Sequence, residues 1–354
     1  MIRRPLVLLA AAFLALAPST RSATTDDVRL AWRLPKDSHY RVVSTLEQET
    51  TSTVQEQVQR ESMSQRTTRL VTVDDVDEQG TMDLTVAIEA LSMRKSSDTL
   101  TLTVSAGRNG KGELEVEVTV DSRVPSLDKQ EFEKFFEAVI RNLLELRFDL
   151  RVTPRGRVLK SHANGNPFTS LPALTEAEQL ASQVLQIMLS PEDLAQAVAA
   201  ELFVQLPDQG VQVGDRWPVA RELSVSGIRM VGSGESKLSS VDTTTGVALA
   251  TIDEKLEYAV VTDGFEAKLA NLMTRAYAQF GVNVEVGLDL RAEPLKAEST
   301  ALFDPDAGYC LSVKRTDIKM PMSGTMTIGK QSVKMNMLVE MTNGSSSWTR
   351  LQAQ

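Results

Sequence analysis

The chain has 354 residues, a single cysteine, two histidines and 38 basic against 47 acidic side chains, for a formal net charge of −9. An acidic surface argues against nucleic acid and anionic lipid head groups as partners. The lone Cys310 excludes an intrachain disulfide, a four-cysteine zinc site and a CxxC redox pair, and nothing in the sequence pairs His39 with His162 for a metal site or relay.

The first 23 residues have the parts of an export signal. Arg3 and Arg4 form a positive start, Pro5 to Ala17 is an almost unbroken apolar run, and small residues continue to Ala23. The run is shorter than the roughly 20 apolar residues a membrane-crossing helix needs. No cysteine lies near its end, so lipid attachment and a membrane anchor after cleavage are not expected. The expected location is periplasmic or secreted, and the sparse cysteine usage favours a bacterial host.

From 28 to 121 the pattern is strand-like. Val28 to Leu34 and Tyr40 to Leu46 alternate around a polar turn. Two hairpins follow, 68–73 with 82–88 around DDVDEQG, and 99–104 with 113–120 around GRNGKG. Acids and aliphatics alternate in Glu113 to Val118, as in an antiparallel sheet with one wet face. The period then changes. Asp128 starts a helix, with Glu131 placed for a capping box, and Phe132, Phe135, Phe136, Val139, Ile140 and Leu143 step at three and four residues. A hairpin at 148–160 leads to two further helices, one over 175–188 and one capped by Ser190 with Pro191 in its first turn. Strands resume from Val211, broken by an aromatic-rich helix over 265–280, and continue to Trp348.

The two ends read as a duplicated unit. LPKDSHYRV (34–42) parallels VQVGDRWPV (211–219), and the Val-Asp hairpin at 70–91 parallels 238–259. Each is followed by an aromatic-rich helix and then by Phe-Asp with a Gly turn, RFDLRVTPRGRVLKS (147–161) and LFDPDAGYCLSVKRT (302–316). The expected fold is therefore α+β: two related, strongly curved antiparallel half-barrel-like modules, each with an amphipathic helix on its concave face. The expected organisation is a signal segment 1–23, a first module 24–170, a helical connector 171–206 and a second module 207–354.

VGDRWPV, the Val-Asp hairpin and FDPDAGY resemble a domain-of-unknown-function family of exported bacterial proteins. The resemblance implies an architecture similar to periplasmic half-barrels that carry lipoproteins or lipids. It brings no catalytic residues with it.

No GxSxG, P-loop, HExxH or CxxC is present. Asp74, Asp75, Asp77 and Glu78 lack the order of a calcium loop and read as a hairpin tip. Met320, Met322, Met326, Met335, Met337 and Met341 cluster near the end, with Met335, Met337 and Met341 on one strand face. Methionines suit an irregular core, an adaptable apolar groove or, least of the three, copper(I). The expected activity is non-enzymatic binding of an apolar small molecule or lipid between sheet and helix, by Phe132, Phe136, Ile140, Met320, Met322, Met335 and Met337, with no cofactor and no metal. The alternatives are an interaction module for another envelope protein and, behind it, a carboxylate-dependent hydrolase.

Overall fold

A computed structural model describes residues 27–123, 128–168, 171, 183, 186, 190–225, 228–279, 283–316 and 318–352. The export signal and almost all of the helix expected over 175–188 lie outside the described residues. Fifteen strands form one sheet. The first five are β1 (His39–Val54), β2 (Gln57–Val76), β3 (Met82–Ser97), β4 (Leu100–Arg108) and β5 (Leu114–Ser122). Helix α1 (Lys129–Glu145) follows, then β6 (Arg147–Val152), β7 (Val158–Asn164) and α2 (Pro191–Leu202). Next come β8 (Arg216–Val225), β9 (Ile228–Asp242), β10 (Leu249–Val261) and α3 (Asp263–Gln279). The chain ends with β11 (Val286–Ala292), β12 (Leu295–Asp304), β13 (Tyr309–Thr316), β14 (Ile318–Ile328) and β15 (Gln331–Arg350).

The expected pair of α+β modules is corrected to one predominantly β architecture. The path runs β5-β4-β3-β2-β1-β15-β13-β12-β10-β9-β8, with β6 and β7 branching from β3, and β14 and β11 from β15. The join is β1 with β15, in antiparallel register from Tyr40 opposite Arg350 to Val54 opposite Met335. A free β1 edge would present a row of unpaired backbone groups, and β15 satisfies them. The helices do not each fill a module. β5, β7, β8 and β11 are the strands with a single pairing partner among the described residues. Each has a helix packed against it: α1 on β5, α2 on β7 and β8, α3 on β11. The helices thus attend the strands with an open side.

Local signals account for the helix starts. Asp128 accepts the backbone N–H groups of Gln130 and Glu131, and Ser190 accepts that of Asp193 at 3.1 Å, as N-caps do. The same pairing order occurs twice, β1-β2-β3-β6-β7 and β8-β9-β10-β12-β13. Val28 to Leu34 is not the expected strand: it makes one isolated bridge, Val28 with Val211, and inserts Leu30, Trp32 and Leu34 into the core. Adjacent residues of this segment reach the two corresponding turns. The Trp32 N–H donates to Pro154 O and the Arg33 N–H to Gly308 O, both at 2.8 Å. Around Trp32 stand Phe203, Phe303 and Trp348, with ring centroids 4.9, 5.5 and 5.4 Å away.

Gly156 closes the β6–β7 turn with φ 71°, and a Cβ there would overlap the Val204 carbonyl and stand 2.8 Å from Trp32 Nε1. Gly112 has a similar φ of 80° with open space around it. Gly156→Ala is expected to lower unfolding free energy by at least about 2 kcal/mol, and Gly112→Ala by only about 1 kcal/mol, the backbone contribution alone. Urea denaturation midpoints of the two variants provide the comparison.

Candidate functional site

A cavity of about 310 Å³ lies between α2 and the sheet. It is built on a row of directly opposed residues across five strands: Ser236, Glu254, Ser299, Arg315 and Gly344. Arg69 on β2, Arg221 on β8 and Glu201 at the end of α2 add charges to its lining, beside Ser44, Thr45, Gln65, Thr67, Glu298 and Ser345. The remaining wall is largely apolar and includes Leu46, Leu256, Leu295, Ala297, Ile318 and Met341.

Strand parity places these charges inside. Arg69 shares its face of β2 with buried Val71 and Val73, and Arg221 continues the face of Trp217 and Val219. Glu254 lies between Ile252 and Leu256 on the inward face of β10, and Arg315 is two residues from buried Val313. An isolated buried charge would be strongly unfavourable, so each needs a partner. Arg69 forks onto Glu201, Nη1 to Oε1 at 3.0 Å and Nη2 to Oε2 at 2.8 Å, and also donates to Ser44 Oγ at 3.0 Å. Arg221 donates from Nη2 to Glu254 Oε2 at 2.9 Å. Their side chains are only 9% and 5% exposed. Ser236 and Ser299 donate to the two oxygens of Glu254 at 3.4 Å each.

The same arginines finish a helix. The last carbonyls of an α-helix have no partner within it and carry the negative end of its dipole. Arg221 Nη1 donates to Ala200 O at 3.2 Å and Arg315 Nη2 to Glu201 O at 3.0 Å. The last turn of α2 has no basic residue of its own, so the sheet supplies the cations. Burial pushes the Glu201 carboxyl upward, but Arg69 beside it, Ser44 and Arg315 outweigh burial and hold it below the usual carboxylate range. Burial lowers the Arg315 guanidinium, against the attraction of Glu201. Burial also raises the Tyr258 hydroxyl, against the pull of Arg221.

The residues expected from sequence occupy other places. Phe132, Phe136 and Ile140 lie on α1, which packs on β3, β4 and β5; the Phe132 and Phe136 rings are 4.6 Å apart. Phe135, Val139 and Phe168 form a small separate core beside them. Met322 and Met337 oppose each other on β14 and β15 and line a second cavity of about 350 Å³, with Thr51, Thr53 and Pro321. Met320 packs against the main core, and Met335 pairs with Gly324 and Val54. The α1 residues and the methionines therefore do not share either of these cavities. Of the methionine cluster, Met341 reaches the cavity under α2. Arg69, Glu201, Arg221, Glu254 and Arg315 were not singled out from sequence, although each breaks an otherwise apolar parity or ends an amphipathic helix. No cluster of metal-holding side chains occurs among the described residues. No described helix is long and apolar enough to cross a membrane.

No family model and no curated protein matches the chain. Among solved structures, an outer membrane channel from Pseudomonas putida F1 is similar at 9% identity and a TM-score of 0.19, over 88% of this chain and 97% of that one. A DUF1329 family protein from Desulfovibrio piger is similar at 9% identity and a TM-score of 0.15, over 87% of this chain and 83% of that one. Pseudomonas aeruginosa OccK5 gives 8% identity and a TM-score of 0.22, over 90% and 99%. These scores are below those of chains that share a fold, and no activity is carried over from them.

Two outcomes follow from the charge network. Arg221→Met alone leaves Glu254 buried without its cation and is expected to cost about 3–5 kcal/mol, whereas Arg221→Met with Glu254→Leu recovers most of that loss; chemical denaturation of the three proteins measures it. A carboxyl whose folded pKa is depressed contributes stability that is present above its unfolded pKa and lost as pH falls through the folded value. Arg69, Ser44 and Arg315 hold Glu201 below the usual carboxylate range against the upward push of burial. The melting temperature of the parent should therefore exceed that of Glu201→Gln at pH 7, and the gap should close as pH falls below about 4.3, the value of an unfolded glutamate.

Proposed function

We propose that this chain is an exported, non-enzymatic binding protein that holds a small apolar or amphipathic molecule between α2 and the sheet. The carrying observation is the cavity of about 310 Å³, walled by aliphatic side chains and ended by hydrogen-bonding groups. Small-molecule sites have this character, with volumes from about 300 Å³ upward. Export rests on residues 1–23 and their secretory pattern.

The chemistry of the site favours binding over catalysis. Glu201 and Glu254 are both engaged by arginines, and the lowered pKa of Glu201 makes it a weak base at neutral pH. Cys310 is fully buried and its thiol is pushed up to about 12 by burial, which removes it as a nucleophile. The helices packed on β5, β7, β8 and β11 also favour a small ligand over a partner docking along a sheet edge. Large exposed apolar side chains, such as Val58, Leu159 and Val247, lie on different strands and turns. The twice-used pairing order supports a duplicated origin, with the cavity lined from both halves.

N-phenylnaphthylamine, a fluorescent apolar probe, is expected to bind with micromolar affinity. Ala297→Trp fills the wall from a cavity-lining position and should weaken that binding at least tenfold, with a melting temperature within a few degrees of the parent. A parent protein that binds no probe, and carries no small molecule in native mass spectrometry, refutes the reading.

A further inference from the structure

We propose that the cavity selects a monoanionic amphiphile, its carboxylate head on Arg315 and its alkyl body along Leu256, Leu295, Ile318 and Met341. This rests on the binding reading above and adds the charge of the ligand. Three guanidiniums, the buried carboxylate of Glu254 and the partly buried one of Glu201 line the polar end, so one positive charge is left over. The surplus is localised. Arg69 is committed to Glu201 through two hydrogen bonds, and Arg221 to Glu254 and to a helix carbonyl. Arg315 makes no ion pair with the described residues and spends one nitrogen, Nη2, on the Glu201 carbonyl. A third carboxylate, Glu298, also lines the cavity but is 64% exposed and bound to Lys255 at 3.0 Å, which neutralises it outside the polar end.

Helix capping explains Nη2 of Arg315 and leaves the rest of the guanidinium, a planar set of donors suited to a carboxylate. Gly344 stands directly opposite Arg315 in the sheet and puts no side chain over it, and neutral Thr45 and Ser345 line the cavity beside it. A cationic ligand would meet a guanidinium that has no ion pair of its own among the described residues. A neutral one would cover the guanidinium without offering it a counter-charge. A dianion would exceed the surplus by one charge.

The test is displacement of N-phenylnaphthylamine at pH 7 by decanoate, decanol and decyltrimethylammonium, which share an alkyl chain and differ in head group. Decanoate is expected to bind at least about tenfold more tightly than decanol, the factor one charge-assisted hydrogen bond provides, and the ammonium more weakly than either. Arg315→Gln should bring decanoate to the level of decanol and leave decanol unchanged, while Arg315→Lys keeps part of the preference. Equal binding of decanoate and decanol by the parent overturns the proposal, and so does a preference that survives in Arg315→Gln. The parent series decides the matter even if Arg315→Gln fails to fold. Failure of all three amphiphiles together with the probe would refute the binding reading itself. Decanol binding without a decanoate preference would refute only the head-group assignment.

Discussion

The end of α2 is held by arginines that belong to the sheet. Arg221 and Arg315 donate to the carbonyls of Ala200 and Glu201, and Arg69 grips the Glu201 side chain. These arginines come from β8, β13 and β2, which are far apart along the path of the sheet. One short helix of 12 residues therefore ties together strands from both ends of the chain. Dehydrating so many charges is unfavourable, and Arg69 and Arg221 each keep a buried Nε without a partner. A well-packed aliphatic cluster would stabilise the same junction at lower cost.

The second constraint is continuity of the sheet. Once β15 zips onto β1, neither half retains a boundary of its own. The chain between α2 and β8 is stitched in the same manner. Gln205 exchanges two hydrogen bonds with Ala220, and the Leu206 N–H donates to Arg155 O in the β6–β7 turn. Trp32 then donates from Nε1 to Val204 O at 3.0 Å. The segment that follows α2 thus takes its position from β8, from the β6–β7 turn and from Trp32.

Much of this architecture was legible in the sequence, and the exceptions have physical causes. Hairpins with a Gly turn and one wet face were readable, as were the caps at Asp128 and Ser190. The strands were underestimated in length. β1 and β2 run on through 47–66, where polar residues occupy both faces and period-two alternation disappears. The union of β1 and β15 leaves no local trace, because pairing across about three hundred residues is a property of the edge and not of the segment. The site was missed for a related reason. Arg69, Glu254 and Arg315 look like ordinary solvent-facing charges until their parity is compared with Val71, Ile252 and Val313. Phenylalanine and methionine stripes drew attention because they are conspicuous. Of these, only Met341 reaches the cavity under α2, and it was the one methionine of that strand face left out of the expected binding set.

The pairing of β1 with β15 also sets a schedule. Its register joins Tyr40 to Arg350, so the earliest strand to emerge in synthesis stays half-paired until nearly all the rest has followed. Contacts of such sequence separation form late and slowly. The β1–β2 hairpin can form as soon as residue 76 is available, whereas the seam that joins the two halves has to wait for residues 335–350, so the sheet gains its last continuous pairing only when the chain is nearly whole.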